Sequence, residues 1–500
     1  MSTTYAGSRL LEALAEISGV RLDQLNFVVC QLIALCLGPV YRIHLHPAKV
    51  GANVRHFVAV VVGILLSYFC FGSQIAHMFI QSIVCYAIMR LSPPDMMHKL
   101  MFVFSILYLS VMHIERQIFD YGVWQLDVTG PLMISTQKLT TLAFSIHDGM
   151  IKDKSKYTEE QKKRSISSPP SALEFFSYLF YFHGVIIGPF CFYDEYVEFV
   201  EGRQFDRALK EKDVKQKDFK EPTPVKAVMY KLMVAMINLT IWFTLAQWYP
   251  KKQNADADFI ADNGFIIRFI FLLFSVFFSR AKYYFAWSLG EAISNSAGIG
   301  FNGFDKNGDA KWDLVKNVDI YELETATSFR TLIANWNIQT TNWLGYCVYT
   351  RAPYWRTFLT YGLSAVWHGF YPGYYLSFIG GAMFTTAARN VRRTVRPYFV
   401  TSKLKHQCYD VATWFMAQLA LAYFVVPFTV LELVPSLRFF HNMYWFLHIA
   451  TILVLIYPTP RSPRREKKDP TEVANGPKVN GGNTALEDST GTVESNKKTD

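Results

Sequence analysis

The chain has 500 residues, of which 51% are hydrophobic, 16% aromatic and 18% charged, and its net charge is +10. Soluble proteins carry about 25% charged residues, so this composition argues against a set of soluble domains and for a protein that meets lipid. Much of the basic charge lies in connecting segments and in the tail, where membrane proteins place it, and we therefore expect no nucleic-acid partner.

Crossing the hydrocarbon core of a membrane takes about 20 mostly apolar residues as a helix. Apolar stretches of roughly that kind lie at about 25–41, 55–72, 74–92, 99–114, 173–190, 227–248, 264–288, 357–387, 407–434 and 439–457. Several are too polar or too aromatic to face lipid throughout, which is typical of a bundle with an internal cavity. We predict an all-α, polytopic transmembrane helical bundle of about 10–11 spans with broken or re-entrant helices, over residues 1–458.

Basic connectors lie at 151–165 and 202–226, and a third basic patch follows the last apolar stretch. The positive-inside rule places all three in the cytoplasm, so the segment 171–200, which contains Gly188-Pro189, is predicted to enter and leave on one side. Residues 459–500 have almost no large apolar side chains and are predicted to form a disordered, basic cytoplasmic tail. The tail ends in Lys-Lys-Thr-Asp, which resembles a dilysine retrieval signal and indicates a multi-pass protein of the endoplasmic reticulum membrane.

Two polar clusters interrupt the apolar pattern. Taken alone, RAKYYFAW at 280–287 favours an interfacial belt, in which Arg280 and Lys282 reach lipid headgroups and the aromatic side chains fill the boundary. The stretch 329–355 holds Asn335, Asn337, Gln339 and Asn342, and a helix of this kind cannot lie in lipid. On one helix Asn335 and Asn337 would point about 200° apart, so at most one of them faces a given site. The alternative interpretation is that these amides hold helices together.

A third cluster is LSAVWHGFYPGYYLSF, at 363–378. Residues 357–366 can form a helix, and Pro372-Gly373 interrupts it just after His368. Backbone groups freed by such a break need protein or water as partners, so the histidine lies where a polar cavity is expected. Histidine changes its charge near neutral pH and suits a general base. His183 and His147 are rival candidates, as structural hydrogen-bonding groups or as second polar residues of a site.

These clusters, in this order, resemble segments of the membrane-bound O-acyltransferases, in particular of their lysophospholipid acyltransferase branch. The resemblance covers about residues 25–457 and leaves the tail uncovered. Its details are most like those of members that acylate lysophosphatidylethanolamine and lysophosphatidylserine. The segments that carry it are RAKYYFAW (280–287), NWNIQTTNWL (335–344) and SAVWHGFYPGYYLSF (364–378), with support from KLTTLAFSIHDG (138–149) and the Gly-Pro-Phe of 188–190.

The resemblance implies that His368 is the general base and that the family's asparagine, which follows a tryptophan, is Asn337 rather than Asn335. It implies an all-helical bundle with a buried catalytic tunnel, which acyl-CoA enters from the cytosol and the lipid acceptor from the bilayer. No metal and no cofactor are expected, and acyl-CoA is a co-substrate. One departure from the family pattern is His183, where relatives often carry proline.

The resulting hypothesis is acyl transfer from acyl-CoA to the free hydroxyl of a lysophospholipid during phospholipid remodelling. His368 removes the hydroxyl proton, and Asn337 steadies the oxyanion or orients a reacting group. Cys347 is discounted as a nucleophile, because nothing around it favours a thiolate. Cations near the cytoplasmic mouth, with Arg280 and Lys282 as candidates, would pair with coenzyme A phosphates. Further substrate-binding candidates are Asn335, Trp336, Trp367, Tyr283, Tyr284 and His183.

Two kinds of alternative remain open at this stage. Within the same family, the acceptor could be a protein or a sterol. From another class, a membrane transporter or scramblase also needs polar residues and broken helices inside the membrane. The chain shows no internal repeat, which disfavours a transporter. The sequence features described here are also compatible with a homo-oligomer.

Overall fold

The computed structural model describes residues 5–122, 125–150, 155, 157–206, 209 and 220–457. Within these ranges the chain is helical, and its only β-type pairing is an isolated bridge between Phe304 and Ala310. The prediction of an all-α protein is confirmed. The tail predicted at 459–500 lies outside the described residues.

The helices of the N-terminal part lead up to and include the predicted re-entrant segment. They are α1 (Glu12–Ser18), α2 (Leu22–His44), α3 (Ala52–Phe71), α4 (Ile75–Leu91), α5 (Pro94–Phe119), α6 (Thr129–Met150), α7 (Glu159–Arg164), α8 (Ala172–Phe180) and α9 (Tyr193–Glu201). Short 3-10 turns at Gly72–Gln74 and Arg203–Phe205 connect some of them.

The C-terminal part contains the three polar clusters. Its helices are α10 (Val225–Phe243), α11 (Leu245–Trp248), α12 (Ala257–Asp262), α13 (Phe265–Ser279), α14 (Ala281–Ala297), α15 (Ile320–Glu324), α16 (Phe329–Ala334), α17 (Ile338–Leu344), α18 (Arg356–His368), α19 (Pro372–Thr394), α20 (Arg396–Phe399), α21 (Lys403–Val430), α22 (Leu433–Asn442) and α23 (Phe446–Ile456). A 3-10 turn at Lys251–Ala255 and a π-helical turn at Gly345–Tyr349 complete it.

Five helical stretches of the described residues are long and apolar enough to cross a membrane, or six if the pair α22 and α23, bent by 79°, counts as one span. This is fewer than the ten apolar stretches of the sequence. The stretches 173–190 and 357–387 are broken near their glycines and prolines, and 264–288 divides at Arg280. Breaks of this kind are tolerated where protein or water satisfies the freed backbone groups.

The connectors define two ends of the bundle. At the end of α2, His46 bonds Glu221, just before α10, at 3.0 Å. At the end of α4, Arg90 donates to the carbonyl of Pro170 at 2.9 Å. We call this the basic end, because the connectors 151–165 and 202–226 begin there. At the other, far end, the amide of Leu126 donates to the Asp23 carboxylate beside the start of α2, at 3.0 Å.

The segment 171–200 has the break that the sequence predicts. Helix α8 stops at Phe180, irregular backbone follows, and α9 begins at Tyr193. Arg164, the last residue of α7, bonds Asp194 at 2.9 Å and Glu195 at 2.7 Å in the first turn of α9. At the inner turn the buried ammonium of Lys138 donates to the carbonyl of Tyr178 at 3.0 Å, which satisfies a free group at the end of α8.

Candidate active site

His368 is the last residue of α18, and the backbone around it forms a sharp break. Gly369 follows with φ +119°, a conformation that favours glycine, and a Cβ there would lie 3.4 Å from the ring of His113. Pro372 then begins α19 in its first position, where a missing N–H costs nothing. Gly373 is required as well, since its Cβ would lie 2.0 Å from the carbonyl oxygen of Pro427. The break therefore falls where the sequence predicts it.

One ring nitrogen of His368 is held by the backbone. Its Nδ1 lies 2.7 Å from the carbonyl oxygen of Ser364. A carbonyl oxygen only accepts, so Nδ1 carries the proton, and in the neutral imidazole Nε2 is the free acceptor. The rings of Tyr374, Phe378 and Phe428 surround the imidazole at 5.8, 5.0 and 5.1 Å between centroids. The residue nevertheless stays partly exposed.

Asn337 lies at a second break, between α16 and α17. Its backbone is left-handed, with φ 49° and ψ 54°. For a residue other than glycine this costs about 1–3 kcal/mol, and such strain concentrates at functional sites. In the described part of the chain its side-chain amide has no hydrogen-bond partner, and the residue is partly exposed. Its amide is therefore available to a ligand.

The neighbouring amides are bound within the protein. Asn335 donates to the carbonyl of Thr331 at 3.0 Å, Gln339 to the carbonyl of Leu314 at 3.0 Å, and Asn342 to Gln339 at 3.3 Å. The assumption of one continuous helix over these residues was wrong, because the left-handed Asn337 separates α16 from α17. The interpretation that the amides hold separate segments together fits only Gln339, because Asn335 and Asn342 bond within their own helices and the side chain of Asn337 has no partner among the described residues.

Helix α6 holds both breaks in place. Trp367, beside His368, donates from Nε1 to the carbonyl of Met133 at 3.0 Å. Trp343, in the helix that Asn337 begins, donates to Thr140 at 2.8 Å. Met133 and Thr140 lie seven positions apart and hence on one face of α6. The two tryptophan rings also contact each other, at 5.6 Å between centroids. Trp367 is only 4% exposed, so it serves to position its neighbour.

Arg280 and Tyr284 share one carboxylate. Arg280 bonds Glu324 at 2.7 Å and Gln418 at 2.9 Å, and the hydroxyl of Tyr284 donates to Glu324 at 2.5 Å. Both residues are buried. Since Glu324 balances the guanidinium charge, this pair stabilises the fold and leaves no free cation for a phosphate.

Tyr283 and Trp336 lie next to Asn337. Their rings meet edge to face at 5.5 Å, and Trp287 contacts Trp336 at 4.9 Å. Tyr283 and Trp336 are both partly exposed. Of the four candidates within 280–287, Tyr283 is the one whose ring contacts the residue before Asn337 while remaining accessible.

Arg280 and Lys282 lie at the start of α14, far from the basic end. Helix α14 ends at Ala297 beside Gly38, near the basic end, since a Cβ on Gly38 would lie 2.9 Å from the amide nitrogen of Ala297. At 1.5 Å per residue, Lys282 is about 22 Å from that point. These cations therefore lie in the part of the bundle opposite the basic end. Their expected place near the cytoplasmic mouth stays a prediction.

His183 and His147 are not in ring contact with His368 in the described structure. His183 is 2% exposed and packs against Tyr181 and Phe199 at 4.5 and 5.5 Å between centroids. Neither of its ring nitrogens has a hydrogen-bond partner. His147 bonds Asp148 at 3.4 Å, and the Asp148 carboxylate is also held by Arg351 at 2.6 Å. His183 thus belongs to the packed interior, whereas His147 is partly exposed and belongs to an ion-paired cluster with Asp148 and Arg351.

Comparisons with known proteins show the family of the chain. Residues 116–429 match the model of the membrane-bound O-acyltransferase family. The chain belongs to the membrane-bound O-acyltransferase family. It is 43% identical over 474 residues to a membrane-bound glycerophospholipid O-acyltransferase 2 of Gallus gallus, covering 94% of this chain and 91% of that protein. It is 42% identical over 461 residues to a membrane-bound glycerophospholipid O-acyltransferase 1 of Homo sapiens, covering 91% and 93%.

A third relative is lysophospholipid acyltransferase 6 of Drosophila melanogaster, which is 39% identical over 477 residues, or 94% of this chain and 66% of that protein. The resemblance to this family is therefore confirmed. The protein is a membrane-bound enzyme of the O-acyltransferase class, and the matched residues include all three polar clusters.

Proposed function

We propose that the protein transfers a fatty acyl group from acyl-CoA to the free hydroxyl of a lysophospholipid, with lysophosphatidylethanolamine, lysophosphatidylserine or lysophosphatidylcholine as acceptor. The observation that carries the proposal is the hydrogen bond from Nδ1 of His368 to the Ser364 carbonyl, which leaves Nε2 as a proton acceptor. The class of acceptor is supported by the relatives, whose names contain glycerophospholipid or lysophospholipid. The reaction would serve the remodelling of membrane phospholipids.

In the proposed reaction, Nε2 of His368 takes the proton of the lysophospholipid hydroxyl as its oxygen attacks the thioester carbonyl carbon. The carbon–sulfur bond then breaks, the new ester forms, and the imidazolium returns its proton to the thiolate of coenzyme A. General-base assistance of this kind contributes about 10²–10⁴ in rate. The Ser364 carbonyl keeps the imidazole oriented throughout, since Nδ1 stays protonated.

Asn337 would donate its unpartnered amide to the oxyanion that develops on the thioester carbonyl. Its strained left-handed backbone aims the side chain before the substrate arrives, so little reorganisation is needed during the reaction. Because α6 holds both breaks, the base and the oxyanion donor belong to one rigid unit.

For the membrane, we propose the endoplasmic reticulum, with the basic end in the cytoplasm. The connectors that begin at this end are rich in lysine and arginine, which favours the cytoplasmic side. Acyl-CoA would then enter from the basic end. Cysteines placed singly at Lys220 and at Gly122 should react with an impermeant reagent on opposite sides of sealed microsomes. Labelling of both from the same side would contradict this orientation.

The reaction is tested with full-length protein purified in detergent, supplied with one acyl-CoA and a panel of lysophospholipids. Acylated phospholipid and free coenzyme A should appear in equal amounts, and His368→Ala should make neither. Acylation of sterols or peptides but of no lysophospholipid would favour the alternative acceptors within the family. Movement of lipid across a membrane without any release of coenzyme A would favour a transporter.

A further inference from the structure

A lysine that the sequence analysis did not single out lies beside the candidate active site. Lys251 begins the 3-10 turn Lys251–Ala255, and its ammonium lies 5.6 Å from the centre of the Tyr283 ring. Lys282, in the first turn of α14, lies 5.6 Å from the centre of the Trp242 ring. The two ammonium groups are within electrostatic range of each other, and Arg21 is within range of Lys282. Lys251 and Lys282 therefore lie near each other inside the protein, whereas Arg21 is ion-paired with Asp23.

The charge of Lys251 is not balanced by a neighbour. None of the ion pairs among the described residues includes it. Arg280, by contrast, is neutralised by Glu324. A cation held next to another cation within a protein is costly unless an anion joins it. Lys251 remains partly exposed, so an anion can reach its ammonium.

Tyr283, whose ring lies beside Lys251, is close to the neighbours of both candidate catalytic residues. Tyr283 contacts Trp336, the residue before Asn337, at 5.5 Å between centroids. Tyr283 is also within electrostatic range of Tyr374, whose ring is 5.8 Å from that of His368. An anion on Lys251 would thus be separated from the reacting groups by only one or two side chains.

The two substrates differ in the distance between their phosphate and their reacting group, and this distance indicates which phosphate fits at Lys251. In a lysophospholipid the phosphate is only a few bonds from the glycerol carbon that bears the free hydroxyl. In acyl-CoA the phosphates are separated from the thioester by the whole pantetheine arm. The lysines also lie in the part of the bundle opposite the basic end, from which acyl-CoA is proposed to enter.

We propose that Lys251, with Lys282 beside it, binds the phosphate of the acyl acceptor and so places the lysophospholipid hydroxyl at His368. The inference rests on the proposed function and adds to it the recognition of the headgroup phosphate. It also explains why a cation without a carboxylate partner lies next to the reacting groups.

The test compares Lys251→Met with Lys252→Met in full-length protein, because Lys252 is the next residue of the same turn and is exposed. A lost charge-assisted contact should raise the KM for the lysophospholipid about 10- to 100-fold in Lys251→Met. The KM for acyl-CoA should stay within about twofold, and Lys251→Arg should recover most of the lysophospholipid affinity. Lys252→Met should behave as the unmodified protein.

Other outcomes separate the explanations. A rise in the KM for acyl-CoA alone would show that Lys251 binds coenzyme A phosphates and would overturn the proposal. Unchanged values for both substrates would overturn it as well. If Lys251→Met does not fold, Lys251→Gln supplies the KM measurement, and a lysophospholipid KM that stays unshifted in this uncharged variant contradicts the proposal. If the unmodified protein acylates no lysophospholipid, the proposed function itself fails.

Discussion

Two segments of this chain contain an aromatic residue, a histidine and a glycine in succession, close to a proline. They are Phe182-His183-Gly184 and Trp367-His368-Gly369. Both lie at breaks between helices, where free backbone groups need partners. At the first break Lys138 supplies the partner, and the imidazole of His183 is packed among aromatic rings with neither nitrogen bonded. At the second, the Ser364 carbonyl orients the imidazole of His368, and the residue stays partly exposed.

The comparison teaches that burial and a glycine-proline context do not make a histidine catalytic. The two histidines differ in how the imidazole ring is oriented and in how exposed the residue is. A general base needs a defined tautomer and access to the substrate. Of these two histidines, His368 alone has a ring nitrogen bonded to a carbonyl, which defines its tautomer, and it alone stays partly exposed. His183 fills space beside the buried Lys138. Four substitutions test this contrast, beginning with the largest expected effect.

Replacing His368 by leucine should lower kcat by about 10²–10⁴-fold or more, since the proton acceptor is lost. Acyl transfer to a labelled lysophospholipid, measured at equal protein level in microsomes, reports the change. Retention of more than about a tenth of the activity would show that this imidazole is not the base and that the two histidines are equivalent.

Replacing Asn337 by alanine should lower kcat by about 10²–10³-fold, the loss typical of one oxyanion donor. Asn335→Ala is the matched control, because that amide already bonds the Thr331 carbonyl and should retain activity within about threefold. The KM for the lysophospholipid should change little in either variant. A large loss in Asn335→Ala alone would reverse the choice between the two asparagines.

Replacing Trp367 by phenylalanine should lower kcat about 10-fold and lower the thermal midpoint. The substitution leaves the Met133 carbonyl without its donor, at a cost of about 1–3 kcal/mol, and loosens His368 relative to α6. Trp355→Phe serves as control, because Trp355 is 76% exposed. If both variants behave alike, α6 does not position the imidazole through Trp367.

Replacing His183 by leucine should change activity by less than about threefold. The substitution removes two buried nitrogen atoms without partners, so the free energy of unfolding should stay the same or rise. Thermal unfolding in detergent and the same acyl-transfer assay measure both quantities. A loss comparable to that of His368→Leu would place His183 in the reaction.

Much of the site could be predicted from particular residues. The break after His368 follows from Pro372-Gly373. The choice of Asn337 over Asn335 came from the resemblance to the family, whose asparagine follows a tryptophan, and stays a prediction. The re-entrant break near Gly188-Pro189 was also visible. The sequence did not indicate the roles of Lys138 and Lys251. A lysine within or just after an apolar stretch looks the same in the sequence whether its ammonium contacts a lipid headgroup, the end of a helix or a substrate.

The sequence by itself determined the helical, membrane-embedded character of the protein and the location of its breaks, because hydropathy and proline or glycine act locally along the chain. Only the tertiary structure decided which polar groups at those breaks are bound and which are free. Glu324 neutralises Arg280 from 44 positions away, and Met133 holds Trp367 from 234 positions away. Such pairings depend on how helices meet, and no local pattern encodes them.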